Sequence, residues 1–169
     1  MQWYDQIGAD IPITQGDLIY DCPLIGWKPD IDISGEEYIN ILKASTRVIS
    51  ADVVVLSQAC DLEHNKVTNL ILCTHISLLE FRKAWESEMR NQKQNPSPGA
   101  WRSHCKDICD GFVWNLSMLN SFDFGTCKSD ILIVDFHEIF SVPKLFLETL
   151  LRKRNNLRIR LLPPYREHL

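Results

Sequence analysis

The chain has 169 residues, 45% of them hydrophobic and 24% charged, which is enough for one core and too little for two. Its longest apolar stretches, Val53–Leu56, Leu70–Cys73 and Ile131–Val134, are four residues each, far below the roughly 20 that cross a bilayer, so no membrane contact is expected. The net charge of -4 hides an asymmetry: residues 1–151 hold 12 Lys/Arg against 21 Asp/Glu, while 152–169 hold 6 against 1.

The opening Met1-Gln2-Trp3-Tyr4-Asp5-Gln6 has neither a basic nor an apolar leader segment, so the expected location is the cytoplasm and the six cysteines are expected as thiols. Gln15-Gly16-Asp17 is a turn signal leading into a strand, Leu18–Ile25, with a bend expected at Pro23. Residues 28–37 read as a polar loop, and Tyr38–Lys43 fits strand or helix equally. Val53-Val54-Val55-Leu56 is a β-branched run of the kind buried on both faces. After the polar connection Asp61–Lys66, Thr68–Cys73 reads as its antiparallel neighbour.

From Ser77 the period becomes helical, with Leu78, Leu79, Phe81, Ala84, Trp85 and Met89 in phase and Ser77 and Glu80 at capping-box spacing. The breaker Asn95-Pro96-Ser97-Pro98-Gly99 ends that helix, and Trp101–Cys109 reads as a second one. Residues 77–110 are thus expected as a helical insertion between strands. Phe112–Leu119 and Ile131–Val134 return to strand character, Ser141-Val142-Pro143 opens a helix over Leu145–Arg154, and Leu157–Leu162 alternates apolar and basic residues as a half-exposed strand would. The expected class is α+β.

Several constellations have chemical potential. In Ser57-Gln58-Ala59-Cys60-Asp61, the thiol of Cys60 has His64 four residues on and His75 on the next strand, the components of an activated nucleophile. The alternative is a packed Cys60 beside an Asp61 that closes the turn. Cys105 and Cys109 with His104, joined by Cys60, His64, Cys73 and His75, would supply zinc ligands if they converged, but only one loose pair exists, and it also fits one helical turn. No resident metal or other cofactor is therefore expected. Asp30, Asp32, Glu36 and Glu37 read as a solvated loop rather than a cation site. The basic end, Arg152, Lys153, Arg154, Arg158 and Arg160, would attract phosphate, although cations are favoured at a helix C-terminus in any case.

Gln15–Ile19, Val53–Glu63 and Leu70–Cys73 together resemble the opening of the MazF/PemK-like small barrels. The resemblance covers about residues 14–78 and implies an SH3-like β-barrel, here with a helical insertion and a C-terminal helix and strand. Ile133–Pro143 and the ending Pro164-Tyr165-Arg166-Glu167-His168-Leu169 are similar to a family of uncharacterised bacterial proteins that carry the same Ser-Gln-x-Cys-Asp-Leu turn, some encoded near mobile or defence genes. Those relatives continue beyond the motif as an amphipathic helix, so this chain is expected to be a truncated or processed form. Ribonuclease members place an Arg before the central strand and a hydroxyl at the end of the next. Here Asp52 precedes Val53, Arg47 is the nearest cation, and Thr74 with His75 supplies the other half. A carboxylate beside a phosphodiester forfeits charge stabilisation.

The resemblance therefore implies a non-catalytic regulator or adaptor that binds another protein, encoded in the same operon of a bacterial stress or anti-phage (CRISPR-type) defence system. Sequestration of a sigma-like factor is one form of this. Its binding residues would be Ser57, Gln58, Cys60, Asp61, Arg158, Arg160, Tyr165 and Arg166, and members of the barrel family commonly form homodimers. The alternatives are a sequence-selective endoribonuclease using Arg47, Thr74 and His75, and a nucleic-acid module built on the basic end.

Overall fold

The computed structural model describes residues 2–28, 31, 38–125 and 127–169. In chain order these form β1 (Tyr4–Ile7), β2 (Asp17–Trp27), α1 (Tyr38–Ser45), β3 (Thr46–Val55), α2 (Ala59–Glu63), β4 (Asn69–Ser77), α3 (Leu78–Asn91), α4 (Pro98–Cys109), β5 (Leu116–Leu119), β6 (Phe122–Asp123), β7 (Lys128–Ser129), β8 (Leu132–Pro143), α5 (Lys144–Arg154) and β9 (Arg158–Leu161). A 3-10 turn follows at Tyr165–His168. Seven strands make one antiparallel sheet in the order β1-β9-β2-β3-β4-β8-β5, and β6 and β7 form a separate small hairpin. The α+β class holds. The expected barrel does not: the sheet is open, with β1 and β5 at its edges. Tyr4 Oη donates to Asn120 O at 2.7 Å, so one edge is tied by a side chain to the end of the other where a ladder would have closed the barrel.

The valine run explains the centre of the sheet. Val53, Val54 and Val55 are all fully buried on alternating faces. Val53 and Val55 join Leu72, Leu147 and Leu151 under α5, and Val54 joins Leu18, Val134 and Ile159 on the other side. Each such side chain contributes about 1.5–3 kcal/mol when removed from water. The neighbour expected over Thr68–Cys73 is β4, which pairs Val53 with Thr74 and Val55 with Leu72.

The expected bend at Pro23 is displaced. Pro23 pairs with Ser50 inside a regular ladder, while Tyr20 and Asp21 stand opposite the single Asp52 as a bulge. Asp21 has φ 50°, and Asp52 Oδ1 accepts its N–H at 2.9 Å. Arg154 holds the same bulge from α5, donating to Tyr20 O at 2.8 Å and to Asp21 O at 2.6 Å. Beyond Leu18 the only strand beside β2 is β3, among the described residues, so a proline is tolerated where its nitrogen faces the open side.

Residues 77–110 form α3 and α4. The capping box is complete, with Ser77 Oγ accepting from Glu80 N and Glu80 Oε2 accepting from Ser77 N. Phe81 and Trp85 meet Trp101 and His104, so the two helices pack largely on each other. Residues 38–43 are helical, as part of α1. The segment expected as a half-exposed strand is β9, in which Arg158, Ile159 and Leu161 are all buried. The acidic residues Asp30, Asp32, Glu36 and Glu37 lie outside the described residues.

Candidate functional site: an aromatic seam between the sheet edges

Three segments that stand out in the sequence meet in space. Gly16, at φ +84°, donates its N–H to Val55 O and accepts from Leu161 N, each at 2.9 Å. A Cβ there would lie 3.0 Å from the Cβ atoms of both Leu161 and Arg166, so glycine is required by conformation and by space. Gln15 spans the junction: its amide donates to Arg166 O at 3.0 Å and its carbonyl accepts from Ala59 N at 3.4 Å. The Gly-Asp turn, the Ser-Gln-Ala-Cys-Asp turn and the C-terminal Tyr-Arg-Glu-His are therefore one structural unit.

Within it most groups are engaged in holding the fold. Ser57 Oγ accepts from Ile71 N at 2.8 Å, and Asp61 faces Lys66 at 3.6 Å. Cys60 is exposed, with Gln58 Oε1 and Asp61 Oδ1 each 3.8 Å from its sulfur. His75 stands four residues along β4 from Ile71, about 13 Å of strand, so it is no base for that thiol.

The basic end is also largely consumed. Asp17 is fully buried and accepts from Arg158 Nε at 3.0 Å, from Arg160 Nε at 2.5 Å and from Arg160 Nη2 at 3.0 Å. Arg158 further donates to the carbonyls of Gly8, Ile11 and Pro12, and Arg160 to that of Pro12. With Arg154 on the bulge, the exposed cations left on this segment are Arg152 and Lys153. Arg166 pairs with its neighbour Glu167 at 3.1 Å.

The alternative catalytic set is not assembled. Arg47 pairs with Gly26, while Thr74 pairs with Val53. Six residues of β3 separate Arg47 from Val53, about 20 Å. His75 is 2% exposed, neither ring nitrogen has a hydrogen-bond partner, and its ring stands edge-on to Tyr20. Burial lowers its pKa to about 4, opposed by the charge of Asp52. Tyr20 is pushed up to about 12, first by burial, then by Cys127 and Asp52, against a hydrogen bond with Ser129. Nor do the zinc candidates converge: His104 stacks on Phe81 and Trp85, and among the described residues no three His, Cys, Asp or Glu side chains are grouped to hold a metal.

An opening lies where the sheet fails to close. A groove of about 640 Å³ runs between β5 and the aromatic pair Trp3 and Tyr165, which stack at 3.9 Å with an 11° tilt. Trp114 and Phe136 add two more rings, and Ile108 and Cys109 bring in the end of α4. Both faces of β5 line it, with Ser117 and Leu119 on one and Leu116 and Met118 on the other, so the groove follows the strand's edge.

The ladder fixes what that edge offers. Phe136 N donates to Asn115 O at 2.8 Å, and Leu116 and Ser117 pair with Asp135 and Val134. That register turns the N–H and C=O of Ser117 and Leu119 to β8 and those of Met118 outward into the groove. Of the residues singled out in the sequence, Tyr165 and Cys109 line this seam. Trp3, Trp114 and Met118 also line it, and nothing local in a sequence marks an aromatic residue or a methionine as facing a missing strand. Comparison with protein-family models, with curated proteins and with solved structures gives no significant match.

Proposed function

We propose that this protein is a non-catalytic binding module, a regulator or adaptor, whose partner is another protein that lays an extended segment along β5 in the seam. The observation that carries this reading is the outward-turned backbone pair of Met118 on an unpaired sheet edge, inside an aromatic groove. An added strand supplies the missing hydrogen bonds, and alternate side chains of the segment enter pockets on either side of the edge. The aromatic rings give such a segment apolar surface to cover. Arg47 and Thr74 stand apart, which favours binding over cleavage by that pair.

The test is a backbone substitution. Met118→Pro removes an N–H that β8 does not use, so the fold should survive on an edge strand, while strand addition is blocked. The full chain is screened against a displayed library of short random peptides, and the bound peptides are then measured on the variant. The expected result is capture by the native chain and its loss in Met118→Pro with an intact melting transition. Undiminished capture by the variant overturns the reading, as does cleavage of a mixed RNA substrate that is lost in Arg47→Ala.

A further inference from the structure

Two sulfur atoms meet on the α4 side of β5, and a third stands one helical turn away. Cys109 Sγ lies 3.5 Å from Met118 Sδ. Cys105 stands one turn earlier on the same side of α4, as residues four apart on a helix do. Cys109 is exposed and Cys105 half-buried, which leaves a path for an ion.

The donor set decides which ion. Two sulfurs bound at about 2.3 Å to one centre in a trigonal plane are about 4 Å apart, so the Cys109–Met118 pair at 3.5 Å needs little rearrangement. His104, the imidazole adjacent in sequence, is stacked 5.8 Å from Phe81 and 5.7 Å from Trp85 and makes its contacts with α3 and Trp101. A tetrahedral zinc site would need a fourth donor of nitrogen, thiolate or carboxylate type, and no such grouping exists among the described residues. Two thiolates and a thioether are soft ligands of the kind that select Cu(I).

We infer that Cys105, Cys109 and Met118 form a three-coordinate site for a soft monovalent cation, Cu(I) or its analogue Ag(I). Binding forms two metal–thiolate bonds and one metal–thioether bond, releases the two thiol protons and changes no oxidation state. The bound site carries a single net negative charge. The inference rests on the sulfur geometry and is independent of what lies along β5.

The experiment uses the full, reduced chain under anaerobic conditions, titrated with Ag(I) against a competing chelator and followed by native mass spectrometry. The expected result is one ion per chain, with affinity lowered roughly tenfold or more in Cys109→Ser and in Met118→Leu, and unchanged in Cys60→Ser. Met118→Leu conserves volume, so its melting temperature serves as the folding control. The site is refuted if Met118→Leu binds as tightly as the native chain, if Cys60→Ser abolishes binding, or if no stoichiometric uptake occurs.

Discussion

Under α5 the sheet meets aliphatic side chains such as Val53, Val55, Leu72 and Leu147, whereas its opposite face meets Tyr4, Phe122 and Phe136 and holds His75. On the α5 side the buried charges are paired in full: Asp17 takes both arginines, and their remaining donors hold the 8–12 segment. On the other side a buried imidazole has no hydrogen-bond partner among the described residues, and the sheet stays open at the groove. The difference separates what secures the fold from what is left for a ligand. Among the described residues, the buried side-chain nitrogens and oxygens without a hydrogen bond are the two ring nitrogens of His75, beside Tyr20.

The largest expected effect is on the closed side. Asp17→Ala would leave two guanidinium groups, one of them almost wholly buried, without their counter-charge. Breaking a buried network this way costs about 3–5 kcal/mol, a large share of a typical domain's stability. Urea denaturation should show it as a lower midpoint with unchanged slope. A loss under about 1 kcal/mol would mean that the backbone carbonyls around Arg158 suffice without the carboxylate.

A smaller effect, dependent on pH, is expected on the other face. His75 has its pKa lowered from 6.5 to about 4 by burial. Below pH 6.5 the unfolded chain takes up a proton that the folded chain refuses, so stability is complete above pH 6.5 and falls as pH drops toward 4. The full loss is about 3 kcal/mol. His75→Leu removes both orphaned nitrogens and should flatten this part of the profile, while at pH 7.5 it should be no less stable than the native chain. The measurement is the difference between the two proteins' denaturation free energies across that range, and a constant difference would show that His75 does not titrate in this window.

These two faces were unequally legible in the sequence. The valine run and the Ser77–Glu80 box act over a few residues, and β3 and α3 were readable because local pattern alone determines them. The pairing of Arg158 and Arg160 with Asp17 spans 141 and 143 residues, so alternating basic residues looked like a solvated strand. β8 runs from Leu132 to Pro143, but three of its residues, Phe136, His137 and Glu138, fall between the pairs Cys73↔Ile139 and Thr74↔Asp135. That bulge breaks the period on which strand recognition depends. The turn motifs meet at Gly16, where their atoms are engaged in holding Ala59, Ile71 and Arg166. The seam left no local trace, since a missing strand is a property of the whole sheet.

The smallest effect on stability is the sharpest probe of the comparison. Trp114 is 74% exposed and lines the seam, and its one ring neighbour among the described residues is His137 at 5.0 Å. Leu145 is 69% exposed on α5, over the closed face. Truncating either to alanine removes surface that the fold does not bury, so both should lie within about 0.5 kcal/mol of the native chain. Their binding should diverge. A tryptophan that a bound segment covers typically contributes 2 kcal/mol or more, about a thirtyfold loss of affinity for the peptides selected on the native chain, whereas Leu145→Ala should leave that affinity unchanged. Equal affinity in both variants would show that the aromatic seam is surface and not interface, and the contrast between the two faces would then be one of packing alone.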